Sequence, residues 1–162
     1  MGSPYTDMKL LILSDTHDNY PLAIKALEHA GDIDQIIHLG DGVDDARIIE
    51  YISGKPVIMV AGNCDSIASV PKDIRTMIAR KEFFLTHGHS YHVKSGLNQL
   101  YNKAVAEEVS IVLYGHTHIP AIETINDVMF INPGCLRHNT FTSYATLSIS
   151  AGNISAEIIE IR

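Results

Sequence analysis

The amino-acid sequence predicts one α/β domain built on two β-sheets, and three observations support this prediction. Continuous apolar runs alternate with amphipathic helical patterns in the first half, which is typical of parallel crossovers. Pairs of strands separated by short turns follow in the second half. The chain has 162 residues, of which 46% are apolar, and a chain of this size forms one domain whose core needs no disulfide bonds.

The first half is predicted as strand–helix–strand–helix–strand. Continuous apolar runs indicate strands that are buried on both faces. Pro21 opens a helical stripe that Gly31 ends, which matches the preference for proline at the start of a helix and glycine after its end. The predicted strands are residues 9–13, 35–39 and 56–60, and the predicted helices are residues 21–30 and 43–51.

The second half is predicted to contain hairpins around one further helix and one further buried strand. Its strands are residues 73–79, 81–85, 110–114, 121–125, 128–131, 142–150 and 153–161, with turns at Arg80, Asn126-Asp127 and Ala151-Gly152. The helix covers residues 95–108, with Ser95 as its cap and with Leu97, Leu100, Tyr101, Ala104 and Val105 facing inward. The terminal hairpin is expected to have one solvated face, and the pattern predicts one mainly parallel and one mainly antiparallel sheet.

The composition excludes several classes of protein. A net charge of −7 argues against stable binding to nucleic acid or to an anionic membrane. No apolar run approaches the roughly 18 residues of a membrane span. Two cysteines form no disulfide framework, which favours a reducing compartment and a cytoplasmic location. Residues 1–7 lack the features of a signal peptide and are expected to be an added or disordered segment, with residues 8–162 as the domain.

Polar clusters follow five of the predicted strands. They are Asp15-Thr-His17, Asp41, Asn63, His87-Gly-His89 and His116-Thr-His118. In α/β sheets, ligand sites gather beyond the carboxyl ends of strands. A lone His-x-His or Gly-Asp is more often a surface pair or a turn, and a lone Asn is more often a turn or a helix cap. Five such clusters in order, each at a strand end, point instead to one shared site.

The residue types in these clusters predict divalent metal ions. Carboxylates, imidazoles and one amide oxygen form a mixed nitrogen and oxygen set, which favours Mn, Fe, Zn, Ni or Co over a thiolate zinc site or an all-oxygen calcium site. Seven candidate ligands are too many for one ion and suit two, and Asp41, alone on its turn, is the natural bridge between them. The seven are Asp15, His17, Asp41, Asn63, His87, His116 and His118.

The ordered blocks resemble those of the calcineurin-like metallophosphoesterases, and the Asn63-Cys64-Asp65 block resembles the small YfcE-like phosphodiesterase group. This resemblance implies a four-layer α/β/β/α sandwich with two mixed β-sheets flanked by helices. It assigns one metal to Asp15, His17, Asp41 and His118, and the other to Asp41, Asn63, His87 and His116. It also implies hydrolysis of a small phosphodiester by a hydroxide that bridges two divalent metals, with Mn as the expected metal and Ni, Fe, Zn or Co as alternatives.

Cys64 departs from the pattern of many superfamily members, which carry a histidine there that is thought to protonate the leaving group. A thiol with a pKa of about 8.5 is a poor general acid at neutral pH. The expected catalytic residues are Asp41, Asn63, His116 and Cys64. Asn19, His89 and Arg137 are the candidates for substrate contacts, with a turn role for Asn19 and a solvated Arg137 as alternatives, and Asp65 is expected to orient His87 or His116.

A rival interpretation is a protein-binding scaffold, because the same fold also resembles a scaffold subunit of a membrane-coat complex whose metal pocket has degenerated. A regulator that binds a nucleotide without turnover is a third alternative. All seven ligand positions are retained, which favours the enzyme. Exposed sheet edges in so small a sandwich lead us to expect a homodimer or homotetramer.

Overall fold

The computed structural model describes residues 7–66, 69–137 and 141–162. Most of the predicted segment 1–7 therefore lies outside the described residues. Two short 3-10 turns, His89–Tyr91 and Val93–Ser95, precede the third helix. The main elements are β1 (Met8–Leu13), α1 (Tyr20–Ala30), β2 (Gln35–His38), α2 (Val43–Ser53), β3 (Val57–Met59), β4 (Asp73–Ile78), β5 (Lys81–Thr86), α3 (Asn98–Ala106), β6 (Ile111–Leu113), β7 (Ala121–Ile125), β8 (Val128–Asn132), β9 (Ser143–Ser150) and β10 (Asn153–Glu160).

The strands form two five-stranded sheets, in the orders β10-β9-β1-β2-β3 and β4-β5-β6-β8-β7. In the first sheet β1–β2 and β2–β3 are parallel, and β9 runs antiparallel to both β1 and β10. In the second sheet β5–β6 and β6–β8 are parallel, and β4 and β7 add antiparallel edges. The expectation of two mixed sheets is confirmed. The expectation of one mainly parallel and one mainly antiparallel sheet was wrong, because the terminal hairpin pairs with β1.

Three apolar clusters hold four layers together. Successive side chains of a strand point to opposite faces, and β1 shows this directly. Leu10 and Ile12 pack between the two sheets, whereas Leu11 and Leu13 pack with Ala23 and the other buried residues of α1 and α2. A third cluster lies between the second sheet and α3. The predicted four-layer α/β/β/α sandwich is therefore confirmed.

Three local expectations differ from the structure. The third helix begins at Asn98 rather than at residue 95, because Ser95 belongs to a 3-10 turn and makes no side-chain cap. Val105 is 54% exposed, although it was expected to face inward. The strand β9 is buried on both faces rather than one. Ala145 and Leu147 pack between the two sheets, whereas Tyr144 packs on the side of α1 and contacts His29.

Within the described ranges, no helix combines the length and the apolar character needed to cross a membrane.

Candidate metal centre

The loops that follow β1, β2, β5 and β6 bring two groups of metal-ligating side chains together. Asp15, His17 and His118 form the first group, and Asp41, His87 and His116 form the second. In each group the candidate ligand atoms all lie within 4.8 Å of one another. These are six of the seven residues that the sequence predicts as metal ligands.

In the first group, the Asp15 carboxylate faces two imidazoles. Asp15 Oδ1 lies 3.1 Å from His118 Nε2 and 3.6 Å from His17 Nε2. The two Nε2 atoms are 3.4 Å apart. Three candidate ligand atoms thus surround one point, as a single cation requires.

In the second group, His87 is central. His87 Nε2 lies 3.3 Å from Asp41 Oδ2, 3.2 Å from His116 Nδ1 and 3.1 Å from Asn63 Oδ1. Asn63, the seventh predicted ligand, therefore joins this group through its amide oxygen. Asp41 Oδ2 also lies 3.8 Å from His17 Nε2 of the first group. This oxygen sits between the two groups, where a bridging ligand belongs.

The surrounding hydrogen bonds leave ligand atoms free to face the centre. His87 Nδ1 lies 2.7 Å from the Leu39 carbonyl, to which it donates, so the neutral ring turns an unprotonated Nε2 toward the centre. Asp15 Oδ2 accepts hydrogen bonds from Ser14 Oγ and from the His116 N–H. Asp15 Oδ1 is buried and accepts no hydrogen bond from any described residue. A buried carboxylate oxygen among imidazoles fits a divalent cation, which would satisfy it.

The ligand loops have an unusual backbone conformation. Five of the candidate ligands, and Asp18 beside them, have positive φ: Asp15 (54°), His17 (43°), Asp18 (69°), Asp41 (56°), His116 (72°) and His118 (62°). Residues other than glycine avoid this region, and such strain clusters at functional sites. Small residues make room for it, since a Cβ on Gly62 would overlap Asp41 Oδ1 and a Cβ on Gly115 would overlap Ser14 Oγ.

The carboxylates and histidines of the centre stabilise one another's charged forms. Burial alone would raise the pKa of Asp15, but the nearby His118 and His17 outweigh burial and hold it far below its usual range. Burial likewise opposes ionisation of Asp41, yet His87 lowers its pKa to about 2. Burial disfavours the charged form of His87, but Asp41 and Asp15 raise its pKa. Both carboxylates are therefore ionised at neutral pH, the form in which a carboxylate binds metal.

Asp65 joins the loop after β2 to the loop after β3. Its carboxylate accepts four backbone hydrogen bonds, from the N–H groups of Asp41 (2.7 Å), Gly42 (3.1 Å), Val43 (3.1 Å) and Gly62 (2.8 Å). The expectation that Asp65 orients His87 or His116 was wrong, because both of its oxygens are directed at backbone. Asp65 instead caps the start of α2 and fixes the turn that presents Asp41.

A buried hydrogen-bond network supports the loop after β1 and was not predicted from the sequence. The Gly40 N–H donates to His38 Nδ1 (3.2 Å), so His38 Nε2 carries the proton and donates to Thr16 Oγ1 (3.0 Å). Thr16 in turn donates to Asp45 Oδ2 (2.5 Å), which also accepts the Asp18 N–H (3.0 Å). The network holds the turn between Asp15 and His17. Thr16 and Asp45 carry no sequence signal, because their contacts link distant residues.

Asn132 performs the same task for the last loop. Its amide donates to the Gly115 carbonyl (3.2 Å) and to Thr117 Oγ1 (2.9 Å), and its Oδ1 accepts the Gly134 N–H (2.9 Å). The buried Asn132 thus supports the segment that carries His116 and His118. The Asn-Pro-Gly sequence signals a turn but does not reveal this contact.

Cys64 lies beside the Asp41 carboxylate. Its N–H donates to Asp41 Oδ1 (2.8 Å), and its Sγ lies within 4.8 Å of ligand atoms of His17 and Asp41. Partial desolvation and the negative charge of Asp41 raise the pKa of the Cys64 thiol. The thiol is therefore protonated at neutral pH and close to the centre.

The three residues predicted to contact substrate have different surroundings. The His89 ring is 5.5 Å from that of His87, and its Nδ1 is buried without a hydrogen bond to the described residues. Asn19 Nδ2, at the start of α1, is likewise buried without such a partner. Arg137 is exposed, and its charge opposes the rise in the pKa of His17 that Asp15 causes. Their roles toward substrate stay predictions.

Two mixed sheets with an aspartate- and histidine-rich centre beyond their strand ends define the class, a metal-dependent phosphoesterase. The domain of the calcineurin-like phosphoesterase superfamily matches residues 8–152. The chain therefore belongs to this superfamily, whose members use divalent metals, and the resemblance seen in the sequence is confirmed.

Relatives within the superfamily include one archaeal and one bacterial phosphodiesterase. Phosphodiesterase MJ0936 of Methanocaldococcus jannaschii is 34% identical over 149 residues, covering 78% of this chain and 83% of the relative. Phosphodiesterase YfcE of Escherichia coli is 27% identical over 151 residues, covering 78% of each chain. The resemblance to the YfcE-like group is confirmed by these similarities.

Solved structures share the fold. A predicted phosphoesterase from Streptococcus pneumoniae TIGR4 superposes with a TM-score of 0.78 at 25% identity, covering 96% of this chain and 90% of that one. Zinc-complexed Vps29 from Entamoeba histolytica superposes with a TM-score of 0.75 at 20% identity, covering 94% of this chain and 99% of that one. The likeness to Vps29 concerns the fold alone.

Proposed function

We propose that this protein hydrolyses small phosphodiesters with two divalent metal ions held by the two donor groups. Asp15, His17 and His118 hold one ion, and His87, Asn63 and His116 hold the other. The observation that carries this proposal is the position of Asp41 Oδ2, which faces His17 of one group and His87 of the other. A single carboxylate between two clusters is what a dinuclear centre needs.

Mn is the metal we propose, with Ni, Fe, Zn and Co as alternatives. The donor set mixes imidazole nitrogens with carboxylate and amide oxygens, which suits this range of ions. When bound, two such ions supply Lewis acidity, which activates water near neutral pH and stabilises negative charge on phosphate. The cations also reconcile a chain of net charge −7 with an anionic substrate.

The side chains of the centre would hold the two ions and orient the ligand atoms. Asp41 would be shared by the two donor groups, and Asn63 and His116 complete the second group. Because His87 Nδ1 donates to the Leu39 carbonyl, the neutral form of the ring presents Nε2 to the centre as a metal ligand. Cys64, with a protonated thiol beside Asp41, occupies the position where many superfamily members carry a histidine, and its thiol is a poor general acid.

The rival function is a protein-binding scaffold, and the structural neighbour named Vps29 shares the fold. A degenerate centre should have lost at least one ligand to an apolar residue. All seven predicted positions retain metal-ligating side chains, and six of them converge in two groups. This retention supports the enzyme.

Turnover of an activated diester and an activated monoester, measured side by side, tests the proposal. The chain is first stripped with a chelator and then reloaded with Mn, Ni, Fe, Zn or Co. We expect bis(p-nitrophenyl) phosphate to be hydrolysed only by the reloaded protein, faster with Mn than with the other ions and faster than p-nitrophenyl phosphate. No turnover of either ester with any of these metals would contradict an enzyme and favour the scaffold.

A further inference from the structure

A second cavity lies beside the metal centre, between residues 93–98 and β7. Its volume is about 620 Å³, which is within the range of pockets for organic ligands. Its walls are mainly apolar and include Val93, Leu97, Tyr114, Ile119 and Ile125. We call this cavity the lateral groove.

The lateral groove adjoins the second donor group. Thr117 lines the groove and lies in the chain between His116 and His118, which belong to the donor groups. Val93 lines the groove as well, and its side chain packs against Gly88, which lies in the chain between His87 and His89. A ligand in the groove would therefore lie next to the metal centre.

The charges on the two sides of the centre differ. The cavity at the metal centre, of about 330 Å³, is lined by four carboxylates and by no lysine or arginine among the described residues. The four are Asp18, Asp41, Asp44 and Asp65. The lateral groove combines its apolar walls with one cation, Lys94, and one carboxylate, Glu123. A second anionic group on the substrate would meet repulsion at the acidic cavity, whereas an uncharged organic group would fit the groove.

We propose that the lateral groove binds one organic substituent of the phosphodiester, and that this substituent is uncharged and apolar or aromatic. The inference rests on the proposed function, since it places the scissile phosphate at the metal centre. Leu97 and Ile119 provide the apolar contact, and Lys94 stands where its ammonium can approach an aromatic face. The substrate class is then a diester with at least one apolar or aromatic alcohol.

Ile119→Glu is the variant that tests the groove, because Ile119 is 68% exposed and its replacement leaves the core intact. Ile122→Glu is the matched control: Ile122 is 41% exposed, lies on β7 and does not line the groove. Both variants should melt within a few degrees of the parent chain. Neither residue belongs to the donor groups.

The measurement is KM and kcat of the Mn-loaded proteins for bis(p-nitrophenyl) phosphate and methyl p-nitrophenyl phosphate. We expect Ile119→Glu to raise KM about fivefold or more for the diaryl ester, with kcat within about twofold, because an apolar contact is lost on binding. A rise for the methyl ester as well would support the groove as the site of the leaving aryl group.

Unchanged KM values for both esters in Ile119→Glu, or an equal rise in Ile122→Glu, would overturn the groove as a substrate site. These outcomes differ from a failure of the proposed function, in which the parent chain itself hydrolyses neither ester.

Discussion

Asp41 is the residue on which both donor groups depend. It is 4% exposed, its Oδ1 accepts the Cys64 N–H, and its Oδ2 faces His17 and His87. An amide in its place keeps the shape but removes the negative charge. The consequences for metal binding and for catalysis should therefore appear together.

We expect Asp41→Asn to lose on the order of 100-fold or more in turnover of an activated diester, because charge stabilisation of phosphate weakens. Elemental analysis should find fewer than two ions in each chain. Asp32→Asn is the control, since Asp32 is an exposed carboxylate in the loop between α1 and β2, before the strand rather than after it. Two tightly bound ions with normal activity in Asp41→Asn would refute the bridging role.

Cys64 sets a second prediction at the residue scale. A general acid contributes typically 10²–10⁴-fold, and most for poor leaving groups. Cys64→Ser should therefore stay within about a few fold of the parent chain on an activated aryl diester. Cys64→His should raise the rate for alkoxide-like leaving groups, with a gain that falls as the leaving group becomes more acidic.

The measurement is a rate series against leaving-group pKa for the parent chain and Cys64→His. Coinciding slopes would mean that Cys64 is not at the general-acid position. Loss of activity in Cys64→Ser on the activated diester would instead mean that the thiol takes part directly in metal binding or catalysis.

His38 gives a pH-dependent prediction. Burial lowers the pKa of His38 to about 4, against about 6.5 in an unfolded chain. Between these values the unfolded chain binds a proton that the folded chain does not, so the free energy of unfolding decreases as pH falls from about 7 toward 4. The full contribution is about 3 kcal/mol.

His38→Gln removes this titration. Urea unfolding of chelated protein at pH 7 and pH 5 should show a smaller pH effect in His38→Gln than in the parent chain. The exposed His92 supplies the control, and His92→Gln should keep the parent's pH effect. An undiminished pH effect in His38→Gln would show that other groups cause it.

At the scale of elements, the sequence predicts the strands and the ligand loops well but not the pairing of the sheets. Apolar runs identify buried strands such as β1 and β6, and the polar clusters after them identify the site. The apolar and polar residues of the terminal hairpin would alternate in the same way in either sheet. Its pairing with β1 could therefore not be predicted. The supports of the loops were also missed, because Asp65 and Thr16 act through contacts with backbone or with residues distant in sequence.

Asp65 provides the prediction at this scale, since it ties the loop after β2 to the loop after β3. Asp65→Asn replaces one accepting oxygen by a donor that faces backbone N–H groups. We expect a loss of about 2 kcal/mol in the free energy of unfolding of the chelated protein and weaker Mn binding. Ser66→Ala, at the neighbouring exposed position, is the control. Unchanged stability and Mn affinity in Asp65→Asn would show that the four hydrogen bonds do not position Asp41.

At the scale of the whole molecule, the centre joins the two sheets. Asp15 and Asp41 follow strands of the first sheet, whereas His87 and His116 follow strands of the second. The sheets otherwise meet through the apolar cluster between them. Bound cations would therefore add polar links across the sandwich. The expected homodimer or homotetramer stays a prediction, which sedimentation of the intact protein would test.

This arrangement predicts that metal binding stabilises the folded chain as a whole. Asp15 and Asp41 are two buried carboxylates whose negative charges repel, and cations bound to the native state relieve this repulsion and stabilise it by mass action. At a metal concentration of about 100 times Kd the gain is about 2.7 kcal/mol, which corresponds to a rise in Tm of about 5–10 °C for a chain of this size. A chelator should lower Tm by that amount and added Mn should restore it.

Asp41→Asn should show a much smaller response, because its centre has lost the shared carboxylate. Identical melting curves of the parent chain with chelator and with Mn would mean that no ion binds the folded protein in solution, and the scaffold interpretation would then be favoured.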